Sequence, residues 1–166
     1  MPTIISPAIF KGEITIAQTE NNFMVTNVQE FIDKYEPKFL KKLLGVTLAN
    51  DFVNGLAVEP IEAKWLALRD ETDLKEMIAN YVYYFYKRDE TTQSGGISEV
   101  KPKGANSTVT NSIDKQVRAW NEMVGMTRLF DLDTTVYPDY VRVYWRRWYR
   151  GCEVDDIYYP INSLNF

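Results

Sequence analysis

The chain has 166 residues, a net charge of −4 and no histidine. The missing histidine excludes His-based triads, His metal ligands and the usual physiological-pH switch. A single cysteine, Cys152, excludes an intrachain disulfide and suits a reducing compartment. Aromatics reach 14%, with 11 Tyr and 4 Trp, types favoured where one end of a ring is apolar and the other wet, as at interfaces.

The length fits one domain, residues 1–166. No apolar run reaches the roughly 20 residues that cross a bilayer, and the N-terminus lacks the basic and apolar regions of a signal peptide. Residues 1–26 read as an irregular arm with prolines at Pro2 and Pro7. Within it Glu13-Ile14-Thr15-Ile16-Ala17 alternates, which suits either a short strand or an arm crossing to a neighbouring subunit. Asn27, with Glu30 three residues on, reads as a helix cap ahead of Val28, Phe31, Ile32 and Tyr35. Pro37 then either starts a second helix or kinks a long one. Phe39, Leu40, Leu43 and Leu44 continue the apolar face, and Gly45 is the expected stop. Thr47 reads as the cap of a short helix carrying Leu48, Phe52, Val53 and Leu56. Pro60 takes the first position of a further helix, which bears Ile61, Trp65 and Leu68.

The strongest signal lies in residues 73–90. Leu74, Met77, Ile78, Tyr81, Val82 and Phe85 recur at 3–4 residue spacing and form one stripe on an α-helix. Tyr83, Tyr84 and Tyr86 extend the aromatic surface to its other faces. Such a helix is either central in its own domain or also covered by a neighbouring subunit. Residues 91–111 form a long polar insertion in which Val100 and Val109 are candidates to pair as a small hairpin; the alternative is a mobile loop. Ser112 reads as the cap of the next helix, whose apolar face holds Ile113, Val117, Trp120, Val124 and Leu129, with Met123, Met126 and Phe130 alongside. Residues 137–151 suit helix or strand, and residues 152–166 form an acidic, then aromatic tail. The expected fold is mainly α: a helical bundle around the long central helix, with a polar loop or hairpin insertion and extended termini.

Chemistry is sparse. The sequence has no nucleophile elbow and no phosphate loop. The carboxylate groups Asp131/Asp133, Asp155/Asp156 and Asp70/Glu71/Asp73 read as solvated surface, and Cys152 beside Arg150 as a structural cysteine. No catalytic, cofactor-binding or metal-binding residue is assigned. Arg142, Arg146, Arg147 and Arg150, interleaved with Trp145 and Trp148, are the best functional candidates from residue chemistry. Arginine forks suit phosphate and aromatic faces suit bases, so a nucleic-acid-binding accessory protein is the alternative reading. The same residue types also carry protein–protein contacts.

Four segments together resemble a family of small phage and prophage proteins from Bacteroidetes-type genomes. They are Tyr35-Glu36-Pro37-Lys38-Phe39-Leu40-Lys41-Lys42-Leu43-Leu44-Gly45; Ile78-Ala79-Asn80-Tyr81-Val82-Tyr83-Tyr84-Phe85-Tyr86; Ser98-Glu99-Val100-Lys101-Pro102-Lys103 with Asn106-Ser107; and Arg118-Ala119-Trp120-Asn121-Glu122-Met123. The layout is similar to that of the head–tail connector (adaptor) proteins of tailed phages. The resemblance implies a non-enzymatic subunit that forms a ring with itself and docks on portal and tail or neck proteins. It further implies a place in the virion neck, residence in the bacterial cytoplasm during assembly, and passing contact with DNA. Tyr83, Tyr84, Tyr86, Arg142, Trp145, Arg146, Trp148, Tyr158 and Tyr159 are the expected interface residues, with the 91–111 insertion and the tail as docking elements.

Overall fold

The computed structural model describes residues 3–16, 22–91, 93–95, 98–100, 112–140, 157 and 159–162. They form a mainly helical bundle of five α-helices: α1 (Asn22–Leu44), α2 (Val46–Leu56), α3 (Ala63–Asp70), α4 (Thr72–Thr91) and α5 (Ser112–Leu129). A short antiparallel hairpin, β1 (Gln93–Gly95) with β2 (Ser98–Val100), follows α4. The mainly α class read from the periodicity is therefore the observed one, and α4 matches the expected central helix to within a residue at either end.

Helix α4 is central because nearly every face of it is covered. Leu74, Met77, Ile78, Tyr81 and Val82 are buried, and so are Ala79, Tyr83 and Tyr86. On one side lies α1. Phe31 meets Tyr86 edge-on at 5.3 Å, Tyr35 stacks on Phe85 at 4.3 Å and 8°, and Phe39 packs on Tyr81 at 5.1 Å. As α1 advances its partners on α4 recede, so the two run antiparallel. On another side lies α5. Gln116 Nε2 donates to the Lys87 carbonyl at 3.3 Å, and Trp120 packs on Tyr84 at 4.6 Å and on Tyr81 at 6.0 Å. This pair is antiparallel too. Edge-on and offset rings of this kind add about 0.5–1.5 kcal/mol per pair beyond their burial.

Several boundaries differ from expectation for local reasons. Helix α1 starts at Asn22, five residues before Asn27, and Thr26 Oγ1 donates back to the Asn22 carbonyl. It also runs through Pro37 without a break. A proline inside a helix costs about 3 kcal/mol, and here the buried Ile32, Glu36, Phe39 and Leu40 anchor the chain on both sides of it. Gly45, at φ 87°, both ends α1 and leads directly into α2. Its N–H donates to the Lys41 carbonyl and its carbonyl accepts from Ala49, so Thr47 lies inside α2 and does not cap it. Pro60 sits in a bend, and α3 begins at Ala63 after Glu62. The hairpin pairs Val100 with Gln93; Val109, the expected partner, lies outside the described residues.

The N-terminal arm lies on its own bundle. Ile5, Phe10 and Ile16 are buried in the common core. The 13–17 alternation does not form a strand in its described part, because Gly12–Ile14 is a 3-10 turn. The described part of the C-terminal tail lies along α5. Trp120 Nε1 donates to the Tyr159 carbonyl at 2.8 Å, and Asn121 bonds the backbone of Ile161 twice, accepting its N–H at 2.8 Å and donating to its carbonyl at 3.0 Å. Thr127 Oγ1 donates to the Ile157 carbonyl.

Candidate interface surfaces

The tyrosines of α4 are the first test of the expected interface. Tyr83 and Tyr86 are buried within this chain's own bundle, which corrects their expected place on a contact surface. For Tyr86 the cover is α1, whose Phe31 meets the ring edge-on at 5.3 Å. Burial, with the Glu90 carboxylate beside it, pushes the Tyr86 hydroxyl well above its ordinary range. Burial also raises Tyr83, whose hydroxyl has no hydrogen-bond partner among the described residues. Lys87 lies 5.8 Å and 5.5 Å from the centres of these two rings and pairs with Glu90. Tyr84 is half-buried between Phe85 and Trp120. Tyr159 is exposed, although its carbonyl is held by Trp120. Arg142, Trp145, Arg146, Arg147, Trp148, Arg150, Cys152 and Tyr158 lie outside the described residues. The helix-or-strand question for 137–151 is answered only as far as Tyr140, where the chain is turn and coil.

Other large apolar side chains are exposed: Leu129, 82% exposed at the end of α5, Val58 and Val136 on the turns after α2 and α5, and Phe23 and Val46 on α1 and α2. The turns are drawn together by Trp65. Its ring packs 5.9 Å from Phe52 of α2 and 6.0 Å from Tyr137, whose hydroxyl donates to the Lys64 carbonyl at 2.7 Å. A Cβ at Gly55 would overlap the Trp65 indole, so α2 and α3 meet closely only because that residue is glycine. Leu129 had been placed on the core face of α5. At about 100° per residue it stands about 140° around the helix from Val124, on the solvent side.

The hairpin β1–β2 lies between the end of α4 and the start of α5. Exposed apolar side chains occur at this end of the bundle too: Phe23 stands 75% exposed at the start of α1, which runs antiparallel to α4.

Two of the carboxylates, Asp70 and Asp133, have hydrogen-bond partners within the chain, and Asp155 and Asp156 lie outside the described residues. Asp70 takes two hydrogen bonds from Arg69 and one from Lys75, and the Arg69 bonds hold it below the ordinary carboxylate range. Asp133 is likewise held low by the Thr135 hydroxyl and N–H. Among the described residues no three Cys, Asp or Glu side chains gather into a group able to hold a metal ion, and no helix is long and apolar enough to cross a membrane.

One carboxylate was missed in the sequence. Glu36 of α1 is only 3% exposed, and its two oxygens accept the N–H groups of Ile4 and Ile5 at 2.9 Å and 3.1 Å. The signal was present: Glu36 falls four residues after Ile32 and three before Phe39, on the apolar stripe of α1. Searches with the sequence and the fold returned no matching family model, curated protein or solved structure.

Proposed function

We propose that this chain is a non-enzymatic virion structural protein, a head–tail connector subunit that closes into a ring with copies of itself and docks on portal or tail proteins. The observation that carries this reading is a bundle that leaves several large apolar side chains exposed, Leu129, Val58 and Val136 among them, and bears a hairpin-containing insertion between α4 and α5. Closed rings use heterologous contacts, in which one patch of a subunit meets a different patch of the next. A subunit with unlike contact elements suits that geometry and needs no active site. The family resemblance over residues 35–123 supports the same reading.

The experiment is mass photometry of the full chain, alone and with purified portal and tail proteins of a tailed phage. A ring, or a stable complex with portal, is expected. The variants Leu129→Asp and Val58→Asp, placed on exposed positions, are expected to abolish assembly while leaving the monomer folded. A chain that stays monomeric with every neck protein present overturns the proposal. So does a chain whose principal ligand is nucleic acid, bound with a steep salt dependence.

A further inference from the structure

The outward face of α1 carries charge of the opposite sign to the chain. Residues 34–50 hold four lysines and one carboxylate, in a chain whose net charge is −4. That carboxylate, Glu36, is buried and bonded to the arm, so every charge this stretch shows to solvent is positive. Lys34, Lys38 and Lys41 fall at i, i+4 and i+7, one row along the helix, and all three are exposed. Lys34 and Lys38 lie 5.1 Å and 5.0 Å from the centre of the Tyr35 ring. Among the described residues none of the three has a carboxylate at ion-pair distance. Beside the row Tyr35 and Phe85, half-buried and stacked at 4.3 Å, bring the α1–α4 seam to the surface.

The complementary charge is borne by other elements. Residues 59–73 hold five carboxylates and two cations, around α3, which lies against α2 and α4. Lys64 and Arg69 pair with Glu62 and Asp70. Glu59, Glu71 and Asp73 are exposed, with no cation at ion-pair distance among the described residues. We propose that the lysine row of α1 docks the acidic surface around α3 of a second copy of this chain. Each patch complements the other and repels itself, so the contact is heterologous. This inference rests on the ring-subunit reading above and names a contact for it. Nucleic acid fits the row less well. The Tyr35 ring is already taken by Phe85 and two lysines and is not open to stack a base, and the negative balance of the rest of the chain repels a polyanion.

The test is sedimentation velocity of the full-length protein at low and high ionic strength. The variants are Lys34→Glu with Lys38→Glu, Glu59→Lys with Glu71→Lys, and a chain carrying all four changes, each checked for folding by circular dichroism. Wild-type self-association is expected, weakening as salt rises. Each double variant should self-associate at least about tenfold more weakly, because reversal sets like charges together, and the fourfold variant should recover. A wild type that stays monomeric at low salt, a lysine variant that associates as well as wild type, or a folded fourfold variant that does not recover overturns the proposal. So do lysine changes that abolish binding to a single-stranded oligonucleotide while self-association persists. Should the acid-side variants not fold, the lysine variant and the salt series decide. A complex with portal protein that ignores the lysine changes overturns this contact and leaves the connector reading standing; charge-dependent self-association without any portal or tail binding does the reverse.

Discussion

Helix α4 and the N-terminal arm both lie on α1, yet they are held by opposite means. Between α1 and α4 the contact is a ladder of rings, Phe31–Tyr86, Tyr35–Phe85 and Phe39–Tyr81, held mainly by dispersion and burial, with Lys34, Lys38, Lys87 and Arg88 over the outer rings. The arm is held by a few apolar anchors, an exposed Arg118–Glu13 pair and one buried carboxylate that no cation balances among the described residues. The first kind of contact is insensitive to solution conditions over the physiological range. The second includes a buried carboxylate whose affinity for a proton is raised by its burial.

Substitutions should separate the two. Trp120→Ala removes the ring that joins α5 to Tyr81 and Tyr84 and the donor to the Tyr159 carbonyl. It should lower unfolding free energy by about 3–5 kcal/mol in a urea titration, at acidic and neutral pH alike. A pH-dependent loss would break the distinction. Glu36→Gln should act in the other way. Because the folded-state value, about 7, lies above the ordinary 4.5, the contribution of Glu36 to stability is fully present below pH 4.5 and is lost as pH rises through 7. The wild type should thus shed about 1–3 kcal/mol between pH 4.5 and pH 7, and the variant should lack that slope. Tyr83→Phe removes a buried hydroxyl with no partner among the described residues; stability should stay constant or rise by up to about 1 kcal/mol. A clear loss would show that the hydroxyl is satisfied in solution. Smallest is Arg118→Ala. It severs the exposed pair with Glu13 that links α5 to the arm, and it should leave the denaturation midpoint unchanged, since exposed ion pairs contribute little.

The uniform part of the molecule was the readable part. In α4 the stripe from Leu74 to Phe85 keeps helical spacing for three turns, so its position and central role follow from periodicity alone. Leu129 carried an equally legible signal, its angular offset from Val124, which hydrophobicity by itself obscured. Tyr83 and Tyr86 were harder. A surplus of rings around a helix shows that every side is covered, and cannot distinguish cover from the same chain from cover by another. The arm was the least readable. Its alternation mimics a strand, and its docking depends on Glu36, a residue some 30 positions away whose role exists only once Ile4 and Ile5 arrive beside it. The junction at Pro60 failed on a narrower point: proline suits a first helical turn but suits a bend as well.

The single-residue joint at Gly45 has a mechanical consequence. With α1 and α2 meeting through one glycine at φ 87°, there is no slack to absorb a change in length. Each residue added there would turn the second rod by about 100° about its own axis, swinging Phe52 out of the interior and putting a polar flank in its place. The two helices are geared together, and evolution can edit either one far more freely than the tooth between them.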